Sequence, residues 1–303
     1  MGPWLDAFVA TFGMIALGAL LRRRLLPEAA LWAGMERLVF LVLLPALLVS
    51  SIGAVDLAAL PLGGLAFTIW GSLLAGTLLS LLLARALGLA HPATTSVLQG
   101  GIRYNNLLAF AVAGAVHGPA GIAFGGIATG LIVPCVQVII TIVFALGGER
   151  RPSPLRVARQ IATNPLLLAC AAGMVLALLG GPPPGLNGLL RGLAQGSLAV
   201  GLLCVGAALA PGALADRPRI QVPTAVLKLL VMPAIASLLA WMAGLEPAVA
   251  AIAILFMAQP TATTAYVQAR AMGGDAPLMA AMITTQHILA MVSLPLWVAL
   301  LAR

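Results

Sequence analysis

The chain has 303 residues, 62% of them hydrophobic and only 8% charged, with a formal net charge of +8. Soluble domains are about one-quarter charged, so this composition excludes one, and long apolar runs in place of short alternating strands exclude a β-barrel. The positive charge does not point to nucleic acid, because the basic residues sit mostly in short links between apolar runs.

In chain order the sequence offers ten candidate spans, each near the roughly 20 apolar residues that a membrane helix needs. They lie at about 5–21, 31–52, 62–87, 93–115, 120–146, 163–180, 188–210, 220–243, 247–270 and 277–301. The first is short, and Arg22-Arg23-Arg24 after it marks a retained span in place of a cleaved leader. The links are brief: Leu26-Pro27-Glu28, Asp56 to Pro61, His117-Gly118-Pro119, Gly180 to Gly185 and Asp216 to Arg219. None is long enough for a soluble domain. Polar, Gly and Pro residues interrupt the fourth span at Gly100-Gly101-Ile102-Arg103-Tyr104-Asn105-Asn106. They interrupt the ninth at Met257-Ala258-Gln259-Pro260-Thr261-Ala262-Thr263-Thr264. Cys135, Cys170 and Cys204 each stand alone in an apolar run, so they read as small buried residues and no metal or disulfide framework is expected.

The charge positions predict orientation. Of 16 Lys and Arg residues, eleven fall in alternate links once the Arg22–Arg24 link is taken as cytoplasmic. These are Arg22, Arg23, Arg24, Arg85, Arg150, Arg151, Arg156, Arg159, Arg217, Arg219 and Arg270. Arg191 and Arg303 fall outside, and Arg37, Arg103 and Lys228 lie within spans. The positive-inside bias then puts the N-terminus outside. The basic link Gly147 to Gln160 leaves five spans on either side, and because five is odd, two related halves must face opposite ways. The two breaks hold the same rank in each half. This predicts an all-α polytopic membrane protein, one transporter unit with ten transmembrane helices in a 5+5 inverted repeat, residues 1–148 and 155–303. Matched interruptions of this kind point to the substrate site of a secondary transporter.

The residues in the breaks give that site a sign. Arg103 lies about ten residues into its span, roughly 15 Å along a helix. A charge there is costly and must face a cavity or a partner. It either contacts a carboxylate substrate or bonds backbone carbonyls of the broken helix. Asn105, Asn106, Gln259 and Thr261 can satisfy unwound backbone or touch substrate, and Pro260 removes a helical hydrogen bond. Thr263 and Thr264 can instead bond back to their own helix. If both spans break, two half-helix N-termini, each with roughly half a positive charge, point at the midplane. The eight acidic residues all fall at span ends or links. That disfavours a carboxylate ion site or an acidic proton relay. Gln99 and His287, the latter beside Gln286, are candidates for ion or proton coupling, and a buried packing role is the other reading of His287. Lys228, about two turns into its span, is expected to snorkel to the cytoplasmic face.

At these residues a family becomes visible. Arg37 to Leu47 with Pro45, Arg103-Tyr104-Asn105-Asn106, Asn164-Pro165-Leu166 and Leu203-Cys204-Val205-Gly206-Ala207 resemble successive motifs of the auxin efflux carrier family, in its bacterial, PIN-like branch. So do Lys228 through Pro233, Gln259-Pro260-Thr261-Ala262, Gly273-Gly274-Asp275 and Ser293-Leu294-Pro295. The resemblance runs over essentially the whole chain. It implies the inverted repeat of bile-acid sodium symporters, with broken helices 4 and 9 crossing. It also implies a scaffold of about 5–52 and 163–210, often dimeric, and a transport domain of about 62–146 and 220–301. Many relatives have a proline just after the glycine of the helix-4 crossover, whereas Phe110-Ala111-Val112-Ala113 here has none.

The expected function is secondary transport of small organic anions, carboxylates above all, in the bacterial inner membrane. The substrate-binding residues would be Arg103, Asn105, Asn106, Gln259, Pro260 and Thr261. The alternative is a sodium-coupled symporter of the bile-acid type, with sodium held by carbonyls and amides around Gln99, Asn105 or Gln259. No other cofactor, metal, nucleic acid or catalytic residue is expected. The Asp-rich motifs of prenyl transfer and the His-Glu-x-x-His of zinc proteolysis are absent.

Overall fold

The computed structural model describes residues 3–54, 61–146 and 154–301. Asp56, the basic stretch from Gly147 to Ser153 with Glu149, Arg150 and Arg151, and Arg303 lie outside the described residues. All regular elements among the described residues are helical: α1 (Pro3–Arg24), α2 (Ala29–Leu38), α3 (Leu44–Ile52), α4 (Leu62–Ala86), α5 (His91–Ile102), α6 (Asn106–Leu146), α7 (Pro154–Ala162), α8 (Pro165–Leu178), α9 (Leu186–Ala207), α10 (Pro218–Val226), α11 (Met232–Met242), α12 (Pro247–Met257), α13 (Thr264–Met272) and α14 (Ala276–Leu301).

Among the described residues, six segments are long and apolar enough to cross a membrane: Ala29–Ile52, Leu62–Ala86, His91–Leu146, Leu186–Ala207, Pro218–Met242 and Ala276–Leu301. The fourth and fifth candidate spans both fall within the segment from His91 to Leu146, which leaves helical geometry at Gly118 (φ 61°) in the expected His117-Gly118-Pro119 link. The sixth span and the first half of the ninth are shorter apolar helices. The ninth is divided between α12 and α13.

Two spans carry a π-helical turn, Val39–Leu43 between α2 and α3 and Leu227–Val231 between α10 and α11. In each, a proline follows six residues after the turn begins: Pro45 and Pro233. Proline has no N–H and its ring crowds the carbonyl four residues back, and widening the preceding turn relieves that clash. The displaced carbonyl is visible in the second case, where Leu229 accepts the Trp297 indole N–H at 2.9 Å.

The chain forms two compact units. Unit 1 holds residues 1–62, 107–130 and 162–208. Small residues let its backbones approach: a Cβ on Gly206 would meet the Ile15 carbonyl oxygen at 1.8 Å, and one on Gly18 the Leu203 carbonyl oxygen at 2.0 Å. This is how membrane helices pack without a hydrophobic driving force between them. Asn164 opens α8, accepting the N–H of Leu166 at 2.9 Å. Cys170 is buried and donates to the Gly126 carbonyl.

Unit 2 holds residues 63–106, 131–161 and 209–303. At one end of it, Asp275 donates its N–H to the Pro92 carbonyl at 3.0 Å, and its carboxylate pairs with Arg217. At another place in unit 2, Gly64 at the start of α4 lies against Leu245, between α11 and α12. Lys228 corrects an expectation. It does not reach for the membrane face but is fully buried, and its Nζ has no hydrogen-bond partner. The π-helical turn that it occupies packs against α5 and α14, which enclose it.

Candidate substrate site at the two helix breaks

α5 ends at Ile102 because Arg103 adopts an extended conformation (φ −74°, ψ 157°), and helix resumes only at Asn106. This break forms without a proline. The reason lies in packing around the two glycines before it. A Cβ on Gly101 would lie 2.1 Å from Ser80 Oγ of α4, and one on Gly100 would lie 2.9 Å from Thr224 of α10 and 3.1 Å from Met282 Sδ of α14. The end of α5 is thus wedged among three neighbours, and its Gly100 carbonyl turns to partners outside the helix.

α12 ends at Met257, and the chain runs irregularly to Thr264, where α13 starts. Pro260 sits in this stretch and cannot continue the helix. The two breaks meet: the Asn105 N–H donates to the Pro260 carbonyl at 2.8 Å. Gln286 of α14 spans both. Its Oε1 accepts the Thr261 N–H at 2.9 Å while its Nε2 donates to the Gly100 carbonyl at 2.9 Å. Thr261 Oγ1 donates to the same carbonyl at 3.0 Å. Backbone groups orphaned by the breaks are therefore satisfied from within the protein, as an apolar surrounding requires.

Arg103 extends this arrangement to α13. Its Nη1 donates to Gln99 Oε1 at 3.3 Å and to Gln268 Oε1, and its Nη2 donates to Thr264 Oγ1 at 2.9 Å. Thr264 and Gln268 are four residues apart and so share one helix face. The guanidinium thus bonds side-chain oxygens, all neutral, and not backbone carbonyls. Thr264 serves Arg103 and does not bond back to its own helix. Among the described residues no carboxylate pairs with Arg103, and the ion pairs are those of Arg217 with Asp216 and Asp275.

The remaining candidates lie in the same unit. Asn105 is 3% exposed and its amide nitrogen is 2.9 Å from His287 Nε2, while His287 Nδ1 is 2.8 Å from the Ile283 carbonyl. Gln259 is buried, donates to the Leu255 carbonyl at 2.9 Å, and leaves its Oε1 without a partner. Gln99 is equally buried, with Nε2 unpartnered. Asn106, half-buried, begins α6. Tyr104 packs on Phe256 of α12 with ring centroids 5.7 Å apart. No cluster of three or more His, Cys, Asp or Glu side chains that could hold a metal exists among the described residues.

A family model described as membrane transport protein matches residues 149–298. The chain is a membrane transporter of the auxin efflux carrier type. No curated protein matches it. The matched stretch of this transporter takes in the Pro260 break, Gln286 and His287, whereas Arg103 and Asn105 lie outside it. Together with the six long apolar helices, it makes the chain a multi-pass membrane protein. Besides Gln268, Gln286 is a site residue missing from the sequence-based candidates. Its signal was weak, an amide in an apolar span next to the only histidine there.

Proposed function

We propose that this protein is a secondary transporter that moves small organic anions, carboxylates above all, by alternating access, with the substrate held at the paired breaks. One observation carries the reading: the guanidinium of Arg103 is surrounded by neutral oxygens at the start of α13. Helix N-termini favour anions, so the start of α13 adds to the charge of Arg103, with no carboxylate among the described residues paired to cancel it. The break between α5 and α6 and the break between α12 and α13 have the ranks expected of a 5+5 inverted repeat, which supports ten crossings. Arg103, Asn105, Asn106, Gln259, Pro260 and Thr261 are the proposed contacts, and Pro260 acts by shaping the backbone.

The test is counterflow of labelled lactate and succinate in proteoliposomes. Arg103→Gln removes the charge and is expected to lower counterflow on the order of tenfold or more, about 1.4 kcal/mol of binding. Wild-type counterflow in both Arg103→Gln and Asn105→Ala would overturn the site. Replacing sodium by choline separates the symporter of bile-acid type, whose flux would collapse, from uniport, exchange or proton coupling.

A further inference from the structure

The link between α6 and α8 holds four arginines, Arg150, Arg151, Arg156 and Arg159, against one acidic residue, Glu149. Transport at the helix breaks makes no use of them. The second part of the link folds as α7, nine residues from Pro154 to Ala162 with definite ends. Pro154 takes the first helical position, where its missing N–H costs nothing. Asn164, extended before Pro165 (φ −72°, ψ 119°), keeps α7 from running on into α8. A helix of this length rises about 14 Å, under half of a hydrocarbon core of ~30 Å. By itself α7 cannot cross a membrane.

The helix has two sharply different sides. At about 100° per residue, Val157, Ile161, Pro154, Ala158, Ala162 and Leu155 follow one another around an arc of about 160°. Arg159, Arg156 and Gln160 fill the remaining arc. Gln160 shows which side meets α6: its Oε1 accepts from Gln137 Nε2 at 3.3 Å. The apolar side is therefore turned away from α6, and it is uncovered. Leu155 is 80% exposed, Ala158 and Ala162 are exposed, and Ile161 is half-buried.

We propose that α7 is an interfacial helix that binds anionic phospholipid, with its apolar side in the boundary between acyl chains and headgroups and the arginines of the link drawing lipid phosphates. A short helix with a basic polar side and an exposed apolar side has this as its stable setting. The chain holds α7 at the bilayer surface: it follows the apolar segment that ends at Leu146, and only Thr163 and Asn164 separate it from the apolar α8. Charge selects the lipid. A zwitterionic headgroup has no net charge to offer, whereas an anionic leaflet favours each nearby arginine by about fivefold in binding. Four arginines within ten residues make the link a match for anionic headgroups and not for an apolar protein surface alone.

The test places a bimane fluorophore on Leu155→Cys in the full chain, with Cys135, Cys170 and Cys204 replaced by alanine. If the cysteine-free chain does not fold, the signal is read as the difference from labelled protein that keeps Leu155. The protein is reconstituted in equal amounts of phosphatidylcholine and phosphatidylglycerol, with a nitroxide quencher carried on one lipid or the other. Both lipids should quench bimane at 155, and bimane on Gln160→Cys should be quenched far less. Quenching by phosphatidylglycerol should exceed that by phosphatidylcholine on the order of fivefold. The double change Arg156→Gln, Arg159→Gln should cut that preference by more than about half, while Arg156→Lys, Arg159→Lys keeps it. Salt at about 1 M, where screening acts beyond about 3 Å, should weaken the preference with no arginine changed. Bimane at 155 that neither lipid quenches means that water, a second copy or another protein meets this side, and overturns the proposal. Equal quenching by the two lipids overturns it as well, and so does a preference that neither salt nor the glutamine variant lowers.

Discussion

Asn105 and Pro260, 155 residues apart in sequence, share one backbone hydrogen bond of 2.8 Å that joins the two helix breaks. The bond exists because each partner lies outside a helix. Asn105 follows the extended Arg103, and Pro260 stands where α12 cannot continue. Pro260→Ala restores an N–H at position 260 and permits α12 to grow by part of a turn, drawing the carbonyl away from Asn105. Counterflow should fall on the order of tenfold, equivalent to about 1.4 kcal/mol, while the detergent-solubilised protein keeps a cooperative melt. Unchanged counterflow in a folded variant would show that the break does not depend on the proline.

Gln286 should matter for stability more than its absence from a sequence-based list implies. Gln286→Leu strips a partner from the Thr261 N–H and one from the Gly100 carbonyl, though Gly100 keeps Thr261 Oγ1. A buried group left without its hydrogen bond costs about 1–3 kcal/mol, so a loss of about 2–4 kcal/mol is expected. Gln286→Glu retains an acceptor for Thr261 and loses only the donor to Gly100, and should melt between wild type and Gln286→Leu. Equal melting of all three would remove Gln286 from its bridging role.

The glycine at position 101 is predicted to answer to one neighbour. In Gly101→Ala the new methyl would lie 2.1 Å from Ser80 Oγ, and the next contacts, Ser80 Cβ and Leu227 Cδ2, are at 3.4 Å. Overpacking of this kind costs about 1–3 kcal/mol. Ser80 Oγ is buried and has no partner, so Ser80→Ala removes an unsatisfied group at little cost. The double variant Ser80→Ala, Gly101→Ala should therefore recover most of the stability lost in Gly101→Ala alone, as read from thermal melts. Additive losses would mean that the glycine serves something other than this contact.

These cases also separate what the sequence discloses from what it hides. Gly100, Gly101 and Pro260 announce the breaks because they stand together with polar residues inside apolar spans, and Arg103, Asn105 and His287 announce polarity where a bilayer penalises it. Their partners are hidden, since pairings such as Gly100 with Gln286 and Arg103 with Thr264 and Gln268 depend on how three helices pack, not on local pattern. Lys228 misleads for the same reason. A lysine two turns into a span ordinarily reaches an interface, but a π-helical turn enclosed by α5 and α14 leaves this one no route. The break before Asn106 shows that a helix can be interrupted without a proline where small residues and close neighbours bend the chain instead.

The pair of Arg217 and Asp275 gives the fold an acid limit. Arg217 has a left-handed backbone (φ 45°), rare outside glycine, and its guanidinium forks onto Asp275 at 2.6 and 3.0 Å. Hydrogen bonds from Arg217, and to a lesser degree the N–H of Leu278, hold the Asp275 carboxyl below the usual carboxylate range against a partial burial that would raise it. Asp275 also caps α14 through Leu278 and ties its own backbone to Pro92. Because the folded-state value is lowered, the stabilisation is complete above the unfolded value near 4 and is lost as pH falls through the lower, folded value. Arg217 is raised by the same bonds, but it titrates far above neutrality and does not shape this window. With Arg217 more than one-third exposed, solvent limits the pair to on the order of 1 kcal/mol. Melts of the purified protein should therefore hold steady from neutral pH to about pH 5 and fall below about pH 4. Asp275→Asn should melt lower than wild type at neutral pH and lose that part of the acid slope. An unchanged slope in the variant would assign acid sensitivity to other carboxylates.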